Sequence, residues 1–409
     1  MANRMFKALA SRVVSRFIGA VLQALSFFLI ARAVGATEFG WFAQGMACGY
    51  VGAAIASLGL SNRVLTVNGQ SDPGATAGKF FAARTFSIPV GVGFAVLVAL
   101  IFGLPWTAVV LLGLAVALFD HYTDFLQAAL AGLTRDTKAV VVIMAQRLLP
   151  FVALIGALVI NPDYLLWAFA GGTIAGIGVG VVLVASSVRW ARSAGALFDD
   201  KAVGFWFSGI ASSLPQLQPA IAGAVLGPAV AGVYAVAVRV TSPLSIVPIG
   251  IQTILVPRIS TANAERVRLV TKQALIVSAV YAALLAVLAF PLGWAADIAL
   301  GEGFDHIVSL VAAFTVMSGA AAIAQVSYGR LIARHRAGLG AAIVIITTLV
   351  NLGFLWVIGD FAGAGWLWTV PLIGSVLGIT AFTIADIRTS GPKASGEHAV
   401  TAKAGAPLG

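Results

Sequence analysis

An arginine at position 239 lies well inside an apolar stretch that starts from the turn Gly227 to Gly232. Read as a helix rising ~1.5 Å per residue, the stretch carries Arg239 roughly 15 Å in from its end. A charge at such depth in an apolar segment needs a wet cavity or a partner. Two chemistries fit. A guanidinium keeps its charge and presents a planar fork of donors, which suits the paired oxygens of a phosphate, whereas a carboxylate on a neighbouring helix would make it a structural ion pair. Asp120, Asp124 and Gln127 are spaced four and three apart in another apolar stretch and so share one helix face, which should turn away from lipid. Paired carboxylates there could bind a proton or sodium ion and couple it to movement of a substrate. Equally, they could make a salt bridge to Arg147 on the next stretch. His121 is off this face and reads as a hydrogen-bonded packing residue.

The stretch from 203 to 226 holds Ser208, Ser212, Ser213, Pro215, Gln216, Gln218 and Pro219. Two prolines four apart remove backbone donors and should kink a helix, freeing carbonyls that must be satisfied inside the protein or by water. A bent polar helix suits a gate or a cavity wall, or hydrogen bonding between helices. Pro243 and Pro248 predict a similar bend beside Arg239. Signatures of enzymes are missing: there is no metal-ligand cluster, Walker loop or nucleophile elbow. His306 and His335 stand alone in or beside loops, and the single cysteine, Cys48, reads as a packing residue. The expectation is a protein that is not an enzyme and needs no cofactor.

These residues must be positioned by membrane-spanning helices. Of 409 residues 60% are apolar and only 10% are charged, which cannot cover a water-facing surface. Apolar runs of about 20 residues, long enough to cross ~30 Å of hydrocarbon, recur along the chain. They fall at 10–33, 41–62, 80–103, 106–131, 139–160, 164–188, 203–226, 229–256, 273–292, 306–329, 338–358 and 363–386, about 12 in all. The excess of 25 Lys and Arg over 15 Asp and Glu gathers in small clusters between runs, at one face; Arg32 lies near the other. That pattern reads as orientation and contact with anionic lipid rather than nucleic-acid binding. It places both termini in the cytoplasm of a multi-pass inner (plasma) membrane protein.

An internal repeat organises the runs. Gly35, Gly40, Phe42 and Ala43 match Gly227, Gly232, Tyr234 and Ala235 at one constant offset. The first turn joins runs one and two and the second joins runs seven and eight, so two six-helix halves insert the same way up, and such halves hold substrate between them near the midplane. The expected layout is a bundle over 1–190, a cytoplasmic link over 191–202, a second bundle over 203–387 and a disordered tail over 388–409. Arg239 has Ala47 as its repeat equivalent, so the arginine is not a feature the scaffold needs twice.

The stretch from Phe28, reading F-L-I-A-R-A-V-G-A-T-E-F-G-W-F-A and closing on L-G-L at Leu60, resembles the opening of polysaccharide and oligosaccharide-lipid flippases in the multidrug/oligosaccharidyl-lipid/polysaccharide exporter superfamily. Gln216 through Gly223, Leu226-Gly227 and Gly232-Val-Tyr-Ala to Arg239 resemble the seventh and eighth helices of the same family. The resemblance implies an all-α integral membrane fold, a V-shaped pair of six-helix bundles that moves a polyprenyl-pyrophosphate-linked oligosaccharide by alternating access, often driven by an H+ or Na+ gradient. Arg239 matches the arginine of the family's eighth helix; with it, Gln216, Gln218, Arg147 and Arg16 are the expected substrate contacts, and Asp120 and Asp124 the expected residues for ion coupling. Partners would be the lipid-linked oligosaccharide, membrane lipids and other polysaccharide assembly proteins, in exopolysaccharide, capsule or lipopolysaccharide assembly. The family often has Arg and Asp where this chain has Gln216 and Gln218. A drug or metabolite exporter of the same superfamily and a non-transporting scaffold of a synthesis complex are the competing readings.

Overall fold

A computed structural model describes residues 2–189, 200–260, 263–334 and 336–389. Most of the predicted link over 191–202 and nearly all of the predicted tail lie outside them, as does His335. The described residues are helical nearly throughout and hold no strand. In chain order the helices are α1 (Ala2–Ala56), α2 (Leu60–Arg63), α3 (Pro73–Phe86), α4 (Ile88–Ile101), α5 (Ala108–Gly132), α6 (Asp136–Ile160) and α7 (Leu165–Ala185). After the link come α8 (Asp200–Ser213), α9 (Gln218–Leu226), α10 (Pro228–Thr241), α11 (Ile246–Ser260), α12 (Ala264–Leu300), α13 (Ile307–Ala333), α14 (Ala337–Ala362) and α15 (Thr369–Thr389).

Among the described residues nine helices are long and apolar enough to cross a membrane, and α3 with α4, bent by 41°, make a tenth crossing. Two more emerge from breaks inside longer elements. Helix α1 runs through two crossings that part at Gly35 (φ 81°, ψ 166°), and α8 with α9 form one crossing interrupted by a 3-10 turn at Leu214–Leu217. The resulting twelve agree with the apolar runs, with altered boundaries. The ninth run reaches back to Ala264 because Asn263 caps the helix, its side chain accepting from the Arg266 amide at 3.0 Å. The charged turns that follow are helical although hydropathy does not mark them. The second run ends early, at Ala56, and the chain re-forms a short helix at Leu60.

Gly35 and Gly227 (φ 89°, ψ 168°) share a conformation essentially confined to glycine, which lets one helix end and the next begin with no loop between them. The two turns also touch. A Cβ on Gly40 would overlap the Pro228 carbonyl, and one on Gly232 would overlap the Ala36 carbonyl. Each half thus lays its glycine against the backbone of the other half's turn. Phe42 and Tyr234, matched in the repeat, are both fully buried.

The main core crosses from one half to the other. Phe27, Phe39, Phe42 and Phe169 pack as an aromatic cluster, and Tyr234 meets Phe314 edge-on at 5.2 Å between ring centres. The halves also meet at both ends of the bundle. At the end carrying Gly35 and Gly227, Arg32 Nη1 donates to the Ala299 carbonyl at 2.8 Å. That oxygen lies in the last turn of α12, where carbonyls lack helical partners and cations are favoured. At the opposite, basic end, Trp206 Nε1 donates to the Ile55 carbonyl at 2.7 Å, and Gly59 packs against the backbone of Phe205 and Trp206.

Candidate functional site at the seam between the halves

Both predicted helix bends are present, and together they place Arg239. Pro215 and Pro219 turn the seventh crossing into a 3-10 segment that carries Gln216. Pro243 starts a second 3-10 segment at Ser242–Ser245, directly after Arg239 in the last turn of α10. The Leu244 carbonyl, whose partner one turn on would be Pro248 with no N–H to give, accepts instead from Tyr281 Oη at 2.7 Å. Arg239 Nη2 donates to Gln216 Oε1 at 3.2 Å. Its guanidinium carbon lies 5.0 Å from the ring centre of Phe27 and 5.5 Å from that of Tyr50, both on α1. An arginine of the second half is therefore seated on aromatic faces of the first. Among the described residues no carboxylate pairs with it.

Tyr50 carries the contact onward. Its hydroxyl donates to Asp120 Oδ2 at 2.6 Å, while Arg147 Nη1 donates to Asp120 Oδ1 at 2.7 Å and Gln146 Nε2 to the same oxygen at 2.6 Å. Gln127 donates its amide to Gln146 Oε1. The structure thus supplies the salt bridge between Asp120 and Arg147, and Asp120 is 6% exposed with both oxygens bonded. Asp124, one turn on, is exposed and lines a cavity, where Gln146 Nε2 approaches its Oδ1 at 3.4 Å. The expected shared face is real, yet its two carboxylates sit in different surroundings.

Two cavities flank this network. The one in the first half, about 460 Å3, is lined by Arg16, Asn62, Asp124, Gln127, Gln146 and Arg147. The one in the second half, about 370 Å3, reaches α1 and is lined among others by Gln216, Gln218, Arg239, Gln325 and Asn351. The predicted contacts are therefore divided: Arg239, Gln216 and Gln218 border one chamber, and Arg16, Arg147 and Asp124 border the other. Tyr50 and Phe27, which connect them, escaped sequence reading, as did Asn351 and Gln325. A lone amide in an apolar run was the available signal for the last two. His121 is the hydrogen-bonded packing residue expected of it. Its Nδ1 lies 3.2 Å from Nη2 of Arg84, a guanidinium that can only donate, so the imidazole accepts there. Among the described residues no group of three His, Cys, Asp or Glu is placed to hold a metal ion.

No family model matches the sequence, and no curated protein does. Solved structures do. The lipid II flippase MurJ in an inward closed conformation aligns with a TM-score of 0.69 at 12% identity, over 91% of this chain and 86% of that one. An inward-facing multidrug resistance transporter of the MATE family, in the MOP superfamily, gives 0.63 at 15% identity, over 93% and 100%. A MOP superfamily transporter from Pyrococcus furiosus, described by the reversed polarity of its binding pocket, gives 0.61 at 15%, over 94% and 96%. With twelve crossings in two like-oriented halves, this multi-pass membrane protein has the fold of the MOP superfamily transporters, drug exporters and lipid flippases alike.

Proposed function

We propose that the protein is a flippase that carries a polyprenyl-pyrophosphate-linked oligosaccharide across the inner membrane for surface polysaccharide assembly, by alternating access between its two halves. Arg239 carries the reading. It is a permanent cation inside the membrane-spanning bundle, between the two halves, held by an amide and two ring faces and by no carboxylate among the described residues. Such a group suits a pyrophosphate, which could exchange the weak amide bond for a bidentate charged one. Moving the guanidinium would release Phe27 and Tyr50, so binding would weaken one of the links between the halves. With the basic end cytoplasmic, as the distribution of Lys and Arg directs, the chamber bearing Arg16 faces the leaflet where the lipid is made. Asp124, open to that chamber, is the group for H+ or Na+ coupling; Asp120 holds the scaffold.

The exporter reading has one specific support, the same Asp124 carboxylate, which could receive a cationic drug. Proteoliposomes separate the two. Native protein is expected to move a labelled lipid-linked oligosaccharide, while Arg239→Ala and Arg239→Lys insert normally and lose at least tenfold in rate. Transport of cationic dyes with no movement of the lipid would establish the exporter instead.

A further inference from the structure

A continuous line of contacts joins the two chambers. Gln146 stands at its first-half end with a single amide nitrogen for two carboxylates: Nε2 lies 2.6 Å from Asp120 Oδ1 and 3.4 Å from Asp124 Oδ1. Its Oε1 accepts the Gln127 amide, which fixes the way the carboxamide faces. Asp120 also takes Arg147 on Oδ1, and on Oδ2 it takes the hydroxyl of Tyr50 at 2.6 Å. The Tyr50 ring in turn seats Arg239. A crevice of about 10 Å3, lined by Phe27, Tyr50, Asp120, Gln146 and Arg147 among others, adjoins this line and has room for at most one water. Charges so little screened by solvent act strongly on one another. Gln146 and Arg147 border the first-half chamber as well, and Phe27 the second.

We infer that Gln146 and Tyr50 are positioning residues through which the charge on Asp124 sets how firmly Arg239 is held. The inference rests on the flippase reading for Asp124 as the ion site and Arg239 as the pyrophosphate contact, and adds the path between them. An ionised Asp124 competes with Asp120 for the Gln146 amide and for the field of Arg147. Asp120, its charge then less compensated, draws harder on the Tyr50 hydroxyl. A phenol that gives its hydrogen bond to a carboxylate carries more negative charge on its ring face, which is the side a guanidinium meets. A proton or sodium ion on Asp124 ends the competition. Gln146 and Arg147 then serve Asp120 alone, Tyr50 is drawn less, and Arg239 leaves the ring for an anion more readily. Such coupling is reciprocal: a pyrophosphate on Arg239 strengthens ion binding at Asp124 by the same factor. The bare field between the two sites has the same sign, since a neutral Asp124 no longer repels the anion. It needs no hydroxyl at position 50 and no amide at position 146, and that difference separates the relay from the field.

Calorimetric titration of the full-length protein in detergent tests this, in alkaline, sodium-free buffer, with inorganic pyrophosphate as the probe and Asp124→Asn as a permanently neutral ion site. Asp124→Asn is expected to tighten binding about fivefold. The gain should fall below about twofold when Tyr50→Phe or Gln146→Met is also present, and Arg239→Ala should abolish binding in every background. Melting temperatures identify any variant that fails to fold, and one folded relay variant is sufficient. A second reading leaves the relay intact. Of the six tyrosines, Tyr50 is the one seen to donate to a carboxylate, so its Cζ resonance in tyrosine-labelled protein is expected furthest downfield and should move upfield in Asp124→Asn. Equal tightening with and without the Tyr50 hydroxyl, binding unchanged or weakened by Asp124→Asn, or an unmoved Tyr50 resonance would overturn the inference. Relay-dependent coupling without lipid movement in proteoliposomes would sink the flippase reading alone. Arg239-dependent lipid movement, with equal tightening in every relay background, would sink this inference alone.

Discussion

Arg147 is met by a carboxylate, whereas Arg239 is met by an amide oxygen and two ring faces, and the two should respond differently to removal. Truncating Arg147 strands Asp120 in a buried site, a loss of about 3–5 kcal/mol for a broken buried pair. Arg147→Ala is therefore expected to lower the melting temperature of detergent-solubilised protein strongly, and Arg147→Met with Asp120→Leu to recover most of it. Arg239→Ala forfeits cation–π contacts of ~0.5–2 kcal/mol and should melt close to the native protein. Equal melting losses in both single variants would mean that Arg239 is structural as well. Tyr50→Phe keeps the ring under Arg239 and deletes only the hydroxyl bonded to Asp120. A drop of about 1.5–3 kcal/mol fits a hydrogen bond to a charged group. At this scale sequence revealed the common face of Asp120 and Asp124. It did not reveal which cavity each entered, because spacing within a helix says nothing of that helix's rotation against its neighbours.

Helices in this protein are shaped by where they are interrupted. Pro215, Pro219 and Pro243 were legible as bends because proline removes a donor wherever it stands. The 3-10 form of those bends, and the rescue of the Leu244 carbonyl by Tyr281 on a distant helix, depended on tertiary neighbours no local pattern contains. The matched turns at Gly35 and Gly227 were visible as a repeat, but their mutual contact was not. Because Gly40 and Gly232 lie against backbone rather than against yielding side chains, Gly40→Ala and Gly232→Ala must push the two turns apart. Both are expected to reduce the yield of folded, monodisperse protein sharply. Gly93→Ala, on α4 with open space where a Cβ would stand, should be tolerated. Comparable yields from all three, read by size-exclusion chromatography, would show that the turns are not held in that contact.

Across the whole molecule the halves are fastened at both ends of one bundle, by Arg32 on the Ala299 carbonyl at one end and by Trp206 on the Ile55 carbonyl at the other. An alternating-access cycle needs these fastenings to open in turn. Spin labels beside Gly35 in α1 and at the Leu300 end of α12 should show one short distance in native protein and a broader, longer distribution in Arg32→Ala. An unchanged distribution would make Arg32 irrelevant to closure. Composition and run lengths made the twelve crossings readable, since a bilayer demands about 20 apolar residues of each crossing helix. The division into two chambers was not readable, since it arises from side chains such as Tyr50 filling the space between. The reciprocal seat of Gly40 on Pro228 and Gly232 on Ala36 has one more consequence. When position i of one unit touches j of its partner and j touches i, the contact is that of a two-fold symmetric pair. A single six-helix ancestor bearing one such turn would already have carried both sides of this contact, and two separate copies could have assembled through it. The join between the halves thus has the geometry of a two-fold symmetric dimer interface held inside one polypeptide, and Arg239, whose counterpart is Ala47, departs from that symmetry.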